Sequence, residues 1–122
     1  MIGDESFRAD ENSSLVSVVL AIVAAIPSGM VSTYGDIARA AGISHDPRRI
    51  GWIVSAGGRG RCLPFHRVVN RQGMLSGKHA FGDPDRMRRL LIAEGVRFVD
   101  HDRVDLDAHR WPIDYEWPPP TK

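Results

Sequence analysis

The residues of this chain that are best suited to chemistry lie near its middle. Cys62 is the only cysteine among 122 residues, so it forms no internal disulfide, and no Cys/His spacing resembles a zinc site. A reactive thiol needs an electropositive, partly exposed setting, and Arg59 and Arg61 place positive charge beside Cys62. An incidental cysteine is the simpler interpretation, with a thiol-dependent reaction as the alternative. We expect neither a metal ion nor any other cofactor.

Positive charge is concentrated in the same central region. The formal net charge of the chain is +1, but the segment 34–78 carries eight Lys or Arg residues against two Asp residues. A basic middle between more acidic ends suits a surface that faces phosphate groups, although such a cluster is more often only a solvated face. The charge pattern alone therefore leaves both interpretations open.

Hydrophobic periodicity predicts two helices in the first third of the chain. Apolar residues recur at helical spacing over 15–26, and the sequence PSG at 27–29 ends this first helix. The uncharged stretch 13–28 has its apolar part over 15–26, which is too short to span a bilayer, so we expect a core helix and no membrane segment. Ser32 and Thr33 are the candidate N-caps of a second helix that extends to about Ala41.

A third helix follows closely and completes a helix-turn-helix. Asp46 and Pro47 predict its N-cap and first residue, and Gly57 marks its end. The buried face of this helix is predicted to consist of Ile50, Ile53 and Val54. We interpret Trp52 as an aromatic side chain packed between helices. The short turn 42–45 joins helices two and three, which is typical of a helix-turn-helix.

The second half of the chain predicts a hairpin, a fourth helix and a closing segment. The strand 67–70, the turn 71–73 and the returning strand 74–75 would form the wing of a winged helix. Asp83 and Pro84 begin a fourth helix that ends near Ala93. A small hairpin over 96–106 follows, and Trp111 closes the core.

These elements predict a mainly α fold with a small β-wing, organised as one domain. The domain covers residues 13–112. A disordered N-terminal tail over 1–12 precedes it, and a proline-rich C-terminal tail over 113–122 follows it.

Three segments of the chain carry a specific family resemblance. Residues 26–38, 48–51 and 64–70 have the sequences IPSGMVSTYGDIA, RRIG and PFHRVVN. In this order and spacing they resemble the DNA-binding domain of O6-alkylguanine-DNA alkyltransferases. The segments 91–96, 104–106 and 110–111 fit the alkyltransferase-like subgroup, in which tryptophan usually replaces the catalytic cysteine. The resemblance covers roughly residues 15–111 and implies the winged helix-turn-helix of that domain.

The resemblance places Phe65 at the position of the nucleophilic cysteine. In such a transferase the thiolate lies beside a histidine that acts through water, matched here by His66, and Glu94 orients that histidine. A phenyl ring cannot act as a nucleophile. The resemblance therefore implies a protein without a catalytic residue, in which His66 and Glu94 are retained mainly as structural groups.

Four further residues match positions that the family uses to bind DNA and to rotate a nucleotide. Tyr34, at the start of the second helix, would crowd the phosphate of the extruded nucleotide. Arg48 would enter through the minor groove and fill the vacated place in the base stack. Thr33 and Arg49 belong to the same implied DNA contact, although the family usually has a small or uncharged residue at the position of Arg49.

The implied lesion pocket combines five side chains: Tyr34, Pro64, Phe65, Ser76 and Lys78. Phe65 would offer an aromatic face, and Ser76 can form hydrogen bonds. Lys78 stands where a close relative within the subgroup has an arginine that attracts the alkylated guanine. Lysine would do this more weakly and less directionally, and a solvated lysine is the alternative interpretation.

These residues predict a monomeric cytoplasmic protein, associated with the nucleoid if it is prokaryotic. It would bind duplex DNA through the minor groove and flip O6-alkylguanine without transferring the alkyl group. Members of the family are thought to mark the lesion for nucleotide excision repair, so excision proteins are the implied partners.

Two other functions stay open at this point. A transferase that uses Cys62 predicts a stoichiometric mass gain on that residue. A winged-helix transcription regulator predicts a dimer with a preference for one undamaged sequence, and the chain shows no evident dimerisation helix.

Overall fold

The chain is mainly helical, with two small sheets. A computed structural model describes residues 2–57, 62–77, 83 and 85–113. In chain order, the described elements are α1 (Ile2–Ala25), β1 (Ser32–Thr33), α2 (Tyr34–Ala40), α3 (Arg48–Gly57), a 3-10 turn (Phe65–Arg67), β2 (Val68–Val69), α4 (Arg86–Ala93), β3 (Phe98–Asp100), β4 (Arg103–Val104) and α5 (Leu106–His109). The predicted fold class is confirmed. None of the described helices is long and apolar enough to cross a membrane.

Helix α1 supplies the centre of the first of two hydrophobic clusters. Val19, Ile22, Val23 and Ile26 are at most 1% exposed, in agreement with the predicted spacing. The helix itself begins at Ile2, so residues 2–12 of the stretch 1–12, for which a disordered tail is predicted, are helical. That stretch contains no proline that would interrupt the helix.

Helices α2 and α3 form the predicted helix-turn-helix. The Oγ1 atom of Thr33 accepts a hydrogen bond of 3.0 Å from the Asp36 N–H and thereby caps α2. Gly42 turns the chain after α2 with a φ of +83°, a conformation that favours glycine. Helix α3 then buries Ile50 and Ile53 against α1 and α2, which holds its opposite face toward solvent.

The predicted wing differs from the structure in how its strands pair. Strand β2 pairs in parallel with β1, and the returning segment contacts Arg103 of β4 through Met74. The turn between them is closed by Asn70, whose Oδ1 accepts from the backbone N–H groups of Gln72 and Met74, both at 2.9 Å. The Asn70 N–H also donates to the Met74 carbonyl at 3.1 Å, but among the described residues the strand pairing of β2 is with β1 alone. The prediction of a two-stranded wing hairpin over 67–75 is therefore wrong in its pairing.

The C-terminal elements contribute to a second hydrophobic cluster, and the segment after α5 packs against the first cluster. Strands β3 and β4 pair antiparallel, as predicted. The second cluster contains Val31, Val69, Leu75, Met87, Leu91, Val96 and Val104. Ile113, which was assigned to the tail, is 2% exposed and packs in the first cluster, so the domain extends to at least this residue. The rest of the predicted proline-rich tail lies outside the described residues.

A buried carboxylate ties α2 to the C-terminal segment. The side chain of Asp36 is 3% exposed, and its two oxygens accept hydrogen bonds of 2.7 and 2.8 Å from Arg110. Arg39 donates a third, at 3.3 Å. Burial alone would raise the pKa of Asp36, but the hydrogen bonds and charge of Arg110, with help from Arg39 and Thr33, outweigh it and lower that pKa.

Replacing Asp36 with asparagine is expected to lower the free energy of unfolding by about 1.5–3 kcal/mol, the range for hydrogen bonds to charged groups. The loss stays in that range because Arg110 is half exposed and regains water. Urea unfolding measures it. Asp100→Asn is the matched control, since Asp100 pairs with Arg103 in the same way but at the surface. Equal losses in the two variants would contradict the assigned importance of burial.

Candidate nucleic-acid interface

A cavity of about 750 Å³ lies between helix α3 and the loop 70–77. The start of α2 forms its inner end, the solvent-facing side of α3 forms one wall, and the loop forms the other. Among the described residues, its lining consists of Tyr34, Gly35, Pro47, Arg48, Gly51, Trp52, Ser55, Asn70, Arg71, Gln72, Ser76 and Gly77. The cavity therefore opens along the helix that a helix-turn-helix presents to DNA.

Tyr34 stands at the inner end of this cavity as the first residue of α2. Its ring lies beside Gly51, where an added Cβ would be 3.6 Å from Tyr34 Cε1. Its hydroxyl lies beside Gly77, where an added Cβ would be 3.4 Å away. Because both positions are glycines, the half-buried side chain of Tyr34 fits between α3 and the loop.

Arg48 begins α3, is exposed and lines the same cavity. Ser76 lines it from the opposite wall. The structure therefore brings together three of the predicted site residues, Tyr34, Arg48 and Ser76. Arg49 is exposed on α3 but does not line the cavity.

The Thr33 side chain has a role inside the fold. Thr33 is 4% exposed, and its Oγ1 caps α2. It thereby positions Tyr34, the residue that follows it, and its predicted DNA contact stays a prediction.

Trp52 was interpreted as packed between helices, and this interpretation is wrong. The indole is 70% exposed and lines the cavity. In an α-helix, two residues correspond to about 200° of rotation, so Trp52 points away from the face that carries Ile50. The outward position of Trp52 could have been predicted from the sequence. Trp52 lies opposite the predicted buried face of α3, and a side chain there cannot join the same core.

Two of the predicted pocket residues, Pro64 and Phe65, are not among the described residues that line the cavity. Pro64 and Phe65 are half-buried, and the Phe65 ring packs against the first hydrophobic cluster. Phe65 begins the 3-10 turn that leads into β2, which directs it toward the core. Lys78 lies outside the described residues. Cys62 is exposed and does not line the cavity.

The structure joins His66 and Glu94 in a half-buried cluster. His66 Nε2 lies 2.8 Å from Glu94 Oε2, as their shared structural role predicts. Sequence reasoning missed Arg67, which donates to Glu94 Oε2 at 2.6 Å and to the Ile26 carbonyl at 2.7 Å. The Gly29 N–H donates to Glu94 as well, at 3.3 Å. Glu94 thus fastens α4 to the 3-10 turn and to the end of α1.

The protonation of Glu94 reflects these partners. Burial by itself would raise its pKa, but hydrogen bonds from Arg67, His66 and Gly29 and the charge of His66 lower that pKa from 4.5 to about 2. The carboxylate is therefore charged at neutral pH and accepts from all three groups. The Glu94 carboxylate therefore holds the His66 and Arg67 side chains in place.

Only some of the cations of the basic central segment line the cavity. Arg67 pairs with Glu94, and Arg39 donates to Asp36 and to the Ile113 carbonyl. Arg48 and Arg71, by contrast, line the cavity. No group of His, Cys, Asp or Glu within the described ranges could hold a metal ion.

Comparison with known proteins points to one family. The family model described as 6-O-methylguanine DNA methyltransferase, DNA binding domain, matches residues 15–96. The DNA base-flipping protein of Escherichia coli (strain K12) is 41% identical over 106 residues, which are 85% of this chain and 79% of that protein. Alkyltransferase-like protein 1 of Schizosaccharomyces pombe is 32% identical over 93 residues, which are 73% of this chain and 86% of that protein.

The fold also matches solved structures. The crystal structure of S. pombe Atl1 in complex with damaged DNA containing O6-carboxymethylguanine aligns with a TM-score of 0.72 at 29% identity. The alignment covers 81% of this chain and 95% of that chain. A second structure, of S. pombe ATL in complex with DNA, aligns with a TM-score of 0.64.

Proposed function

This chain belongs to the alkyltransferase-like group of the 6-O-methylguanine DNA methyltransferase DNA-binding-domain family, and on that premise we propose that it binds O6-alkylguanine in duplex DNA without repairing it directly. The protein rotates the damaged nucleotide out of the helix and holds it. The observation that carries the proposal is the cavity that joins Tyr34 and Arg48 along the outer face of α3.

The geometry suits nucleotide rotation. Extruding a nucleotide costs a few kcal/mol, and less where the base pair is already damaged. Arg48 stands at the start of α3, where its planar cation can enter the groove and occupy the vacated stack. Tyr34 lies deeper, at the inner end of the cavity, where it can crowd the backbone of the rotating nucleotide. A cavity of about 750 Å³ has the size of a small-molecule site and accommodates a nucleotide.

Retention without alkyl transfer follows from the side chains available. Phe65 occupies the position that corresponds to the family's cysteine, and a phenyl ring cannot accept an alkyl group. Cys62 lies three residues before that position and is exposed. Nucleotide excision proteins are the partners that would complete repair, and a cytoplasmic, DNA-associated location suits that role.

Binding titrations with matched duplexes test this proposal. At fixed salt, the affinity for a duplex with one O6-methylguanine is expected to exceed that for the undamaged duplex by at least about tenfold, or 1.4 kcal/mol. The intact mass of the protein is expected to stay unchanged after incubation. Equal affinities would overturn lesion recognition, and a mass gain on Cys62 would show a transferase instead.

A further inference from the structure

Trp52 is the most exposed of the large hydrophobic side chains in the described part of the chain. The indole is 70% exposed on α3, while Val99, the next in order, is 58% exposed on β3. An indole in water leaves a large apolar surface unpaired, and tryptophan is enriched among the residues that dominate binding energy. The exposed indole on the outer face of α3 therefore indicates a contact with a partner.

The position of Trp52 on α3 identifies that partner as the duplex. Arg48 and Trp52 are four positions apart on one helix, so they are neighbours on its surface, and both line the cavity. Ile50, on the opposite side of the helix, is fully buried. Because Arg48 is the residue that enters the minor groove in the proposed function, the indole approaches the same groove on the same helix face.

Trp52 reaches the duplex beside the lesion. Four residues of an α-helix rise about 6 Å, whereas successive base pairs lie about 3.4 Å apart. With Arg48 in the place vacated by the extruded nucleotide, the indole faces base pairs within about two steps of that place. The DNA that it contacts is therefore the undamaged flank of the lesion.

The minor groove has to change shape to accept an indole. In B-DNA this groove is only about 6 Å wide. Proteins that bind there insert apolar side chains between base steps, which partly unstacks the bases and kinks the duplex. Pyrimidine–purine steps such as TA and CA unstack easily, whereas A-tracts are stiff and have a narrow minor groove. The free energy of seating Trp52 thus depends on the flanking sequence.

We propose that Trp52 is a wedge that enters the minor groove beside the extruded nucleotide and makes lesion binding depend on the flanking sequence. This inference rests on the proposed function and adds a specificity-determining residue to it. The indole contacts the opened base step, while Arg48 and Arg71, which line opposite walls of the cavity, bring positive charge to the surrounding phosphates. Lesions between pyrimidine–purine steps are bound more tightly than lesions within A-tracts.

The test compares wild-type protein and Trp52→Ala on two O6-methylguanine duplexes of equal length at fixed salt. One duplex has TA or CA steps on both sides of the lesion, and the other has A-tracts there. The substitution is expected to weaken binding about tenfold on the first duplex and less than about twofold on the second. Trp52→Phe keeps an aromatic wedge and is expected to retain most of the difference between the duplexes. Val99→Ala removes an exposed apolar side chain from β3 and is expected to change neither affinity.

Unstacking of the flanking step provides a second measurement. The fluorescence of 2-aminopurine rises when this base is unstacked, so it is placed two base pairs from the lesion in the first duplex. At saturating protein, its emission is expected to be higher with the wild-type protein than with Trp52→Ala. Thermal unfolding of Trp52→Ala is expected to be unchanged, because the side chain is exposed. Equal emission with the two proteins would overturn the wedge.

The outcomes distinguish this inference from the proposed function. Equal weakening of Trp52→Ala on both lesion duplexes, or no weakening on either, would overturn the wedge and leave lesion recognition intact. A wild-type dimer that is lost in Trp52→Ala without any change in DNA affinity would assign the indole to a second copy of this chain and would also overturn it. If the wild-type protein bound each lesion duplex no better than its undamaged counterpart, the proposed function would fail together with the inference.

Discussion

Replacing Glu94 with glutamine is expected to lower the free energy of unfolding by about 3 kcal/mol, the lower end of the range for removing one partner of a buried ion pair. The side chains of Glu94 and Arg67 are each only 16% exposed. Glutamine removes the negative charge and leaves Arg67 with little access to water. It also presents an N–H group to a cluster in which Arg67, His66 and Gly29 all direct their hydrogen bonds toward residue 94. Urea unfolding followed by circular dichroism measures the loss.

A double variant separates the ion pair from the rest of the cluster. Glu94→Gln with Arg67→Met replaces both members, so no unpaired cation remains. We expect this double variant to recover part of the stability lost in Glu94→Gln. A single-variant loss below about 1 kcal/mol, which is the value for an exposed pair, would show that Glu94 does not hold this part of the fold together.

The same cluster predicts an acid-sensitive fold. The partners of Glu94 lower its pKa from 4.5 to about 2 in the folded protein. A carboxyl group whose folded pKa is depressed contributes its stability in full above the unfolded pKa and loses it as the pH falls toward the folded value. Between about pH 4.5 and 2 the wild-type protein is therefore expected to lose roughly 3 kcal/mol through this group. The loss through this group should be absent in Glu94→Gln, and an equally steep decline in both proteins would contradict the assignment.

Replacing Arg48 with alanine is expected to weaken binding to an O6-methylguanine duplex by about 30- to 100-fold, the effect of removing a dominant arginine from an interface. Arg48 begins α3 and lines the cavity that ends at Tyr34. Its guanidinium can fill the vacated stack, form hydrogen bonds there and neutralise charge at once. Because the side chain is exposed, its loss is expected to leave thermal unfolding unchanged. Fluorescence anisotropy with labelled duplexes measures the affinity.

Two further substitutions identify which property of Arg48 matters. Arg48→Lys keeps the charge but loses the planar group, so it is expected to recover binding to undamaged DNA more fully than binding to the lesion. Arg103→Ala removes an equal charge from β4, where Arg103 pairs with Asp100, and is expected to have little effect. If Arg103→Ala and Arg48→Ala weakened binding equally, general electrostatic attraction would replace insertion as the explanation.

The predictions for Glu94 and Arg48 concern two connected parts of the protein. Glu94 fastens the 3-10 turn to α4, and the turn leads directly into β2. Strand β2 pairs with β1, which ends at the cap of α2 just before Tyr34. Glu94 is thus connected to the cavity through backbone pairing, while Arg48 acts at its opening. The DNA-contacting roles of Tyr34, Arg48 and Arg49 remain predictions for the binding experiments.

The sequence by itself determined the features that depend on near neighbours. Thr33 caps α2 because its hydroxyl needs only the N–H group three residues ahead, and Ile50 and Ile53 mark the buried face of α3 because helical rotation is regular. The family resemblance rested on the same kind of information, namely residue types in fixed order and spacing. The outward position of Trp52 was available from this regularity too, since it follows from the phase of the helix.

Only the tertiary structure decided which distant groups meet. Arg67 reaches Glu94 across 27 positions of the chain, and Arg110 reaches Asp36 across 74. Strand β2 pairs with β1, from the first half of the chain, and not with the segment that returns after the turn at Asn70. Phe65 turned toward the core, and Trp52 was left facing the cavity. Such contacts depend on how whole helices and strands pack around the two hydrophobic clusters. A local sequence pattern does not determine which distant surfaces come into contact.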